Sequence, residues 1–458
     1  MKKMICIFLF MAVGLFAKKV TSLEEMFKKS AIKTRFRINS FQWTWKNEDS
    51  SHKNHKAMGV GGSINIKSAS YKGFSFGIGV FTSQNPAWFR ESANDIKYLK
   101  SGKDTLCRYK VKTSGEYGIT SVSKAYISYK FQNTALTYGR FGFNSVFTSE
   151  NDTKMIPNTF EGAYLENSFI KNSKFRFAYI TAQKLRDHES FHDVITYKNS
   201  TGESWANNDD SAVHKGLSYQ NFVAKGKDPN HNLIISDFST KVKGFKTTFS
   251  FLSVTDVVKD YVIESHYKIN LDNDWAIKPA IRYFIQKDDG AAFIAGYTNL
   301  SGKVATGYNE NIKNSVDSYL VATKVDIMMP KNKGFFRIGY SKVADKADII
   351  TPWRGFPTGG FTRAMGQYNW YANTKTTLFR IVYKSTSKLK TSLRYAIEDF
   401  DDHKVNVQAD AKVLNLDLDA KITKNFSAKF RLGIGNLDEK AGKDLSYRDI
   451  RVEFNYYF

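Results

Sequence analysis

From residue 32 to the C-terminus this chain repeats one unit: an alternation of apolar and polar residues, rich in aromatic and β-branched side chains and closed by Gly, Asn, Asp or Lys. Side chains of a strand point alternately to opposite faces, so each unit has one greasy and one polar face. In the last, Phe458, Tyr456, Phe454, Val452 and Ile450 share one parity, and Tyr457, Asn455, Glu453, Arg451 and Asp449 the other. The units fall near 32–46, 57–67, 73–82, 121–130, 134–141, 160–167, 174–182, 232–242, 245–254, 260–269, 275–286, 317–328, 333–342, 375–384, 389–398, 408–420, 425–435 and 447–458. Most are close to the roughly 9–11 residues that a tilted strand needs to cross a membrane.

One such strand fits a soluble sandwich equally well. The connections separate the two readings, because they alternate in length. Turns such as 130–134, 242–245, 328–333 and 384–389 are tight, whereas 83–120, 142–159, 183–231, 287–316 and 343–374 are long excursions. Short turns at one end and long loops at the other is the layout of a transmembrane barrel, and a sandwich has no reason to sort its loops this way. The connection from Thr255 to Lys259 breaks the rule by being short where a long loop is due. The expected fold is all-β: a transmembrane antiparallel β-barrel of about 18 strands with short periplasmic turns, long extracellular loops and, as argued below, an inward constriction loop.

The N-terminus agrees with export. Met1, Lys2 and Lys3 precede an apolar run from Ile5 to Ala17, after which Lys18 and Lys19 follow. That is a secretory leader, too short for the roughly 20 residues of a spanning helix. The expected organisation is a cleaved signal peptide at 1–17, a periplasmic lead-in at 18–31 with an amphipathic piece at Leu23–Lys29, and a barrel at 32–458 in the outer membrane of a Gram-negative cell. Loss of the leader removes Cys6 and leaves Cys107 as the only cysteine, which excludes an internal disulfide and a thiolate metal cluster. Beyond the leader no apolar run reaches 18 residues, which excludes a helical membrane protein.

The formal charge of +24 would ordinarily raise nucleic acid as a partner. Here the basic residues are spread along the strands, and export removes the chain from nucleic acid. Arg176, Arg282, Arg337, Arg380, Arg394, Arg431 and Arg451 each stand between two apolar residues, Arg35 and Arg37 flank Phe36, and Arg140 precedes Phe141. Arginine facing lipid at mid-membrane costs about 2–4 kcal/mol, so all ten are expected to face the lumen and line a pore. Glu453, Asp417 and Asp419 can neutralise some of them. Inward arginines outnumber inward acids on the segments whose parity is readable, so a net positive lumen selecting small anionic or carboxylate-bearing solutes is expected, guanidinium being suited to grip carboxylate in a fork.

Tyr138-Gly139-Arg140, followed by a loop ending Asp152-Thr153-Lys154-Met155-Ile156-Pro157-Asn158-Thr159-Phe160-Glu161-Gly162, resembles the OprD-type family of outer-membrane porins. In that family a strand ending in Gly-Arg leads to a loop that folds into the barrel, followed by a Leu-Pro-x-x-Phe-x-Gly entry to the next strand. The resemblance implies passive diffusion of small carboxylate-bearing solutes, such as amino acids or organic acids, past a ladder of basic residues. It also implies a constriction at 142–159 that carries Glu150, Asp152 and Lys154. Lys154 departs from the pattern, which has arginine there, and lysine keeps the charge but loses the fork.

Other motifs carry less. His188-Glu189-Ser190-Phe191-His192 has the spacing of a zinc hydrolase but lies in a polar loop without an apolar helix face. The glycines Gly59-Val60-Gly61-Gly62 and Gly77-Ile78-Gly79 lack a βαβ context. Trp353 to Phe361 is turn-rich and aromatic, and suits either a cover over the pore mouth or an exposed loop. No enzyme activity, cofactor or metal is expected. The expected partners are outer-membrane lipid, solutes in transit and, through the strand ending at Phe458, the barrel-assembly machinery, with homo-oligomerisation open. The competing reading is a surface-binding or adhesion barrel acting through its long loops, above all 183–231.

Overall fold

A computed structural model describes residues 19–197, 216–296, 298, 304–308 and 314–458. The expected signal peptide at 1–17, and residues 198–215 of the longest loop, lie outside the described residues.

Eighteen long strands form one sheet. They are β1 (Ala31–Trp45), β2 (His55–Lys67), β3 (Phe74–Gln84), β4 (Gly118–Phe131), β5 (Thr134–Phe141), β6 (Thr159–Asn167), β7 (Ser173–Lys184), β8 (Leu233–Val242) and β9 (Phe245–Val254). The second half comprises β10 (Val258–Tyr267), β11 (Ala276–Asp288), β12 (Ser318–Met328), β13 (Gly334–Val343), β14 (Lys375–Lys384), β15 (Leu389–Asp399), β16 (Ala411–Lys421), β17 (Phe426–Leu437) and β18 (Tyr447–Tyr457). Every strand pairs antiparallel with its sequence neighbours. β1 pairs with β18 from Arg35↔Tyr457 to Trp45↔Tyr447, so the sheet closes and no edge is left unpaired. The segments read from alternation coincide with these strands, and the short β9–β10 connection persists as the three residues between Val254 and Val258.

The alternation sorts the wall into two faces. Phe36, Ile64, Ile127, Tyr138 and Ile338 are exposed on the outside, where lipid meets them. At the short-turn end Phe74 stacks near Tyr129 at 4.5 Å and Phe245 on Tyr267 at 4.4 Å. At the long-loop end Phe251 meets Tyr261 at 5.2 Å and Tyr283 meets Tyr319 at 6.1 Å. Two such girdles mark the two interfaces of a membrane barrel. The lead-in forms the short helix α1 (Leu23–Lys28), capped by the Ser22 hydroxyl, which accepts from the Glu25 N–H at 3.1 Å. It docks on the β2–β3 turn, where Ala69 N–H donates to the Met26 carbonyl at 3.3 Å and Phe27 lies 5.5 Å from Phe76.

The outer half of the barrel is filled by its own loops. Phe143 and Phe147 from the β5–β6 loop, Val194 and Ile195 from the β7–β8 loop, and Trp353, Phe361 and Trp370 from the β13–β14 loop are all buried in one apolar cluster. Trp353 Nε1 donates to the Val194 carbonyl at 2.8 Å and Gly355 N to the Phe147 carbonyl at 3.0 Å, so the three loops set one another.

Candidate solute path and its constriction

Two glycines open the constriction loop. Gly139 on β5 and Gly162 on β6 lie opposite each other at φ +119° and +149°, conformations that L side chains rarely adopt. A Cβ on either would stand 2.4 Å from the Ala125 carbonyl oxygen or 2.2 Å from that of Tyr179. Between them, residues 142–158 turn into the lumen, and the tip at 151–155 lies against β1. Asp152 accepts from Arg35 Nη1 at 2.8 Å and from Arg37 Nη1 at 3.0 Å. Arg37 also donates to the Lys154 carbonyl and, through Nε, to Asn455 Oδ1 at 2.6 Å. Met155 is buried over Gly59, where a Cβ would meet its Cγ at 2.5 Å. Glu150 is held by Lys124 of β4.

The tip divides the lumen into two cavities. The outer one, about 380 Å³, is lined by eleven Lys or Arg and only two acids, Asp104 and Asp417. The one toward the short turns, about 340 Å³, has Lys33, Arg35, Lys67 and Lys124 against Asp152. Strand register builds the outer site: Arg337 lies opposite Arg380, Arg380 opposite Arg394, and Arg431 opposite Arg451. Loops supply the facing wall through Lys100, Lys103, Lys154, Arg186, Arg354 and Arg363, with Trp43, Phe356, Phe361 and Tyr368 between them. The Arg363 guanidinium lies 3.3 Å from the Phe356 ring centre. Burial, and next the Arg186 charge, pull Arg354 down to about 10. Lys154 is buried with its ammonium 3.8 Å from the Phe41 ring centre. Burial first, and then Arg451, hold its pKa well below the lysine range.

Of the ten arginines expected to line a pore, Arg337, Arg380, Arg394, Arg431 and Arg451 line the outer cavity and Arg35 the other. Arg37 is buried between them as a clamp on the tip. Arg176 and Arg282 point inward but serve as struts. Arg176 pairs with Asp237 and donates to the Asn144 carbonyl at 2.7 Å. Arg282 binds Glu264 at 2.6 Å and the Pro357 carbonyl at 2.7 Å. Arg140 corrects the expectation: it has the parity of the exposed Leu136 and Tyr138 and pairs outward with Glu161 at 2.7 Å under the ring of Phe191. At the end of a strand the cost of a lipid-side arginine falls to about 0–1 kcal/mol, so the mid-membrane argument does not reach it.

Most of these arginines also have an acid. Arg337 pairs with Asp326 at 2.8 Å, Arg394 with Asp417 and Arg451 with Asp449 at 3.0 Å, while Arg380 has no carboxylate partner among the described residues and donates to Ser392 Oγ at 3.0 Å. The excess of positive charge therefore comes as much from the loops, which strand parity does not address. The sequence signals for them were Lys154 on the constriction loop that the resemblance implies and the aromatic turn Trp353–Phe361, which folds into the lumen.

The His188–His192 segment is not helical. His188 Nδ1 and His192 Nε2 are 2.9 Å apart, His188 stacks on Tyr197 at 4.6 Å, and Glu189 accepts from Lys110 at 3.0 Å. Among the described residues no three His, Cys, Asp or Glu are placed to hold a metal.

Residues 112–322 match the family described as outer membrane porin, OprD family. No curated protein sequence matches the chain. Among solved structures the chain is similar to OccAB3 of Acinetobacter baumannii (TM-score 0.70, 15% identity, 94% of this chain and 99% of that one). It is also similar to OccK8 (OprE) of Pseudomonas aeruginosa (0.69, 12%, 94% and 98%) and to OpdK of the same organism, solved with vanillate (0.68, 12%, 93% and 98%). At these identities the structures speak for the fold.

Proposed function

We propose that the chain is an OprD-type outer-membrane porin, the family matched over residues 112–322, and that it admits small anionic, carboxylate-bearing solutes by passive diffusion through the outer cavity and past the tip at Asp152. The observation that carries this reading is the charge of that cavity, eleven basic side chains against two acids. A cleft lined by one sign of charge, with low-dielectric walls, concentrates the opposite ion. Guanidinium planes on several strands offer forks for a carboxylate, and Phe356 and Phe361 offer apolar surface for the rest of a small solute. OpdK, a neighbour in fold, is solved with vanillate, a carboxylate. Purified protein in planar bilayers under a KCl gradient is expected to give discrete channels with a reversal potential on the anion side, and blockade by a panel of carboxylates. Cation preference overturns the anion reading, and electrical silence overturns the pore.

A pH dependence follows from Lys154. Its charge is present only below its pKa, which burial and Arg451 depress. Anion preference is therefore expected to fall as pH rises, beginning well below the ordinary lysine value of about 10.4. Lys154→Arg, whose guanidinium stays charged, is expected to flatten that fall in the same bilayer measurement. A profile unchanged between the two proteins removes Lys154 from the selective path.

A further inference from the structure

The outside of the barrel carries a second basic feature that the lumen does not use. Lys342, at the outer end of β13, lies directly opposite Lys375 at the outer end of β14, and both have the parity of the exposed Tyr340 and Phe379. Both therefore stand on the lipid face at the rim. Asp399 binds Lys375 at 3.0 Å, whereas Lys342 is exposed without a hydrogen-bond or ion-pair partner among the described residues. Lys346 adds a third ammonium, 5.9 Å from the ring centre of Tyr319 in the outer girdle, while the nearby Asp345 is engaged by Lys404 at 2.6 Å.

The same rim offers a contrast. Lys259 and Lys287 are also cross-strand partners, but each has its own acid, Asp289 at 2.6 Å and Asp317 at 2.7 Å. Like charges directly opposite on adjacent strands destabilise a sheet unless something anionic compensates.

Below Lys342 the lipid face is grooved. A furrow of about 650 Å³ runs from Tyr340 near the outer girdle to Phe245 and Tyr267 at the other end of the wall. Its floor is made by Thr323 and Pro279, small or flat outward residues on β12 and β11, between Ile281 on one side and Ile338 on the other. The furrow is long and apolar, and Lys342 stands two residues beyond Tyr340 at its outer end.

We propose that this furrow and the Lys342–Lys375 pair bind a phosphate-bearing glycolipid of the outer leaflet, the phosphate between the two ammonium groups and one acyl chain along the furrow. Charge complementarity selects this occupant. An uncharged lipid would leave Lys342 without an anionic partner. Basic residues beside an anionic membrane surface each contribute a measurable share of lipid affinity.

The test is lipid retention by the full-length detergent-released barrel, read by native mass spectrometry. The probes are an acylated glucosamine disaccharide bearing two phosphates, its dephosphorylated form and inorganic phosphate. The diphosphorylated glycolipid is expected to be retained and the other two not. K342Q/K375Q is expected to weaken retention roughly 30-fold, the loss of two such contacts. K259Q/K287Q is expected to leave it unchanged, and Thr323→Trp, which fills the furrow, to abolish it. Unchanged conductance in all three variants verifies the fold, since these side chains face away from the lumen. Equal retention of the dephosphorylated lipid, equal loss in K259Q/K287Q, or a dimer disrupted by Thr323→Trp without bound lipid would each overturn the proposal.

Discussion

Replacing Arg37 by leucine is expected to unseat the constriction and give channels of higher and noisier conductance. Arg37 is 4% exposed and ties the wall to the tip, bonding Asn455 on β18 while gripping Asp152 and the Lys154 carbonyl. Removing one partner of a buried ionic network costs about 3–5 kcal/mol, because the other partners are left charged or polar without compensation. Each 1.4 kcal/mol is about tenfold in population, so the seated tip falls from dominance toward parity with released forms. Arg35 still holds Asp152, and Met155 still covers Gly59, so the tip stays tethered and the current fluctuates. Arg37→Lys keeps one contact and is expected to fall between. Heat-modifiable mobility on gels verifies that the barrel is closed in each variant. A conductance equal to the parent's would remove Arg37 from the clamp.

Arg380→Glu is expected to produce the largest change in ion selectivity of any single substitution in the wall, on the order of tenfold toward cations, since charges in a low-dielectric cleft set potentials of several kT. The reason is its place in the row. Arg337 and Arg394 share their charge with Asp326 and Asp417, whereas Arg380 has no carboxylate partner among the described residues and donates to Ser392 Oγ. Glutamate at that position also faces Arg337 and Arg394 across the strands and neutralises both. Arg140→Glu is the counterpart. Arg140 faces outward to Glu161, so its reversal is expected to leave reversal potentials alone while weakening the rim. Reversal potentials in asymmetric KCl compare the two, and equal shifts would contradict the assignment of faces.

Much of this molecule was legible before any coordinates. Alternation located the eighteen strands, and the sorting of turns from loops closed them into a ring with two distinct ends. Parity placed nine of the ten arginines inward and misassigned only Arg140, at a strand end where lipid no longer enforces the rule. The family resemblance carried by Tyr138–Arg140 and the stretch to Gly162 implied the constriction, and the left-handed backbone at Gly139 and Gly162 explains why those two glycines flank it. Parity did not reveal that Arg37 clamps a loop, that Arg176 and Arg282 are struts, or that Arg186, Arg354 and Arg363 complete the charged cavity.

The division has a physical cause. Which face a strand residue takes is a local matter, set by a period of two and by the price of polar groups in lipid, and so the sequence by itself determined the barrel, its two ends and the polarity of its wall. Which charges meet, and how many survive pairing, depends on register between strands and on loops that return from the far end of the chain to share one apolar cluster. Those are long-range contacts with no local period, and only the tertiary structure decided them.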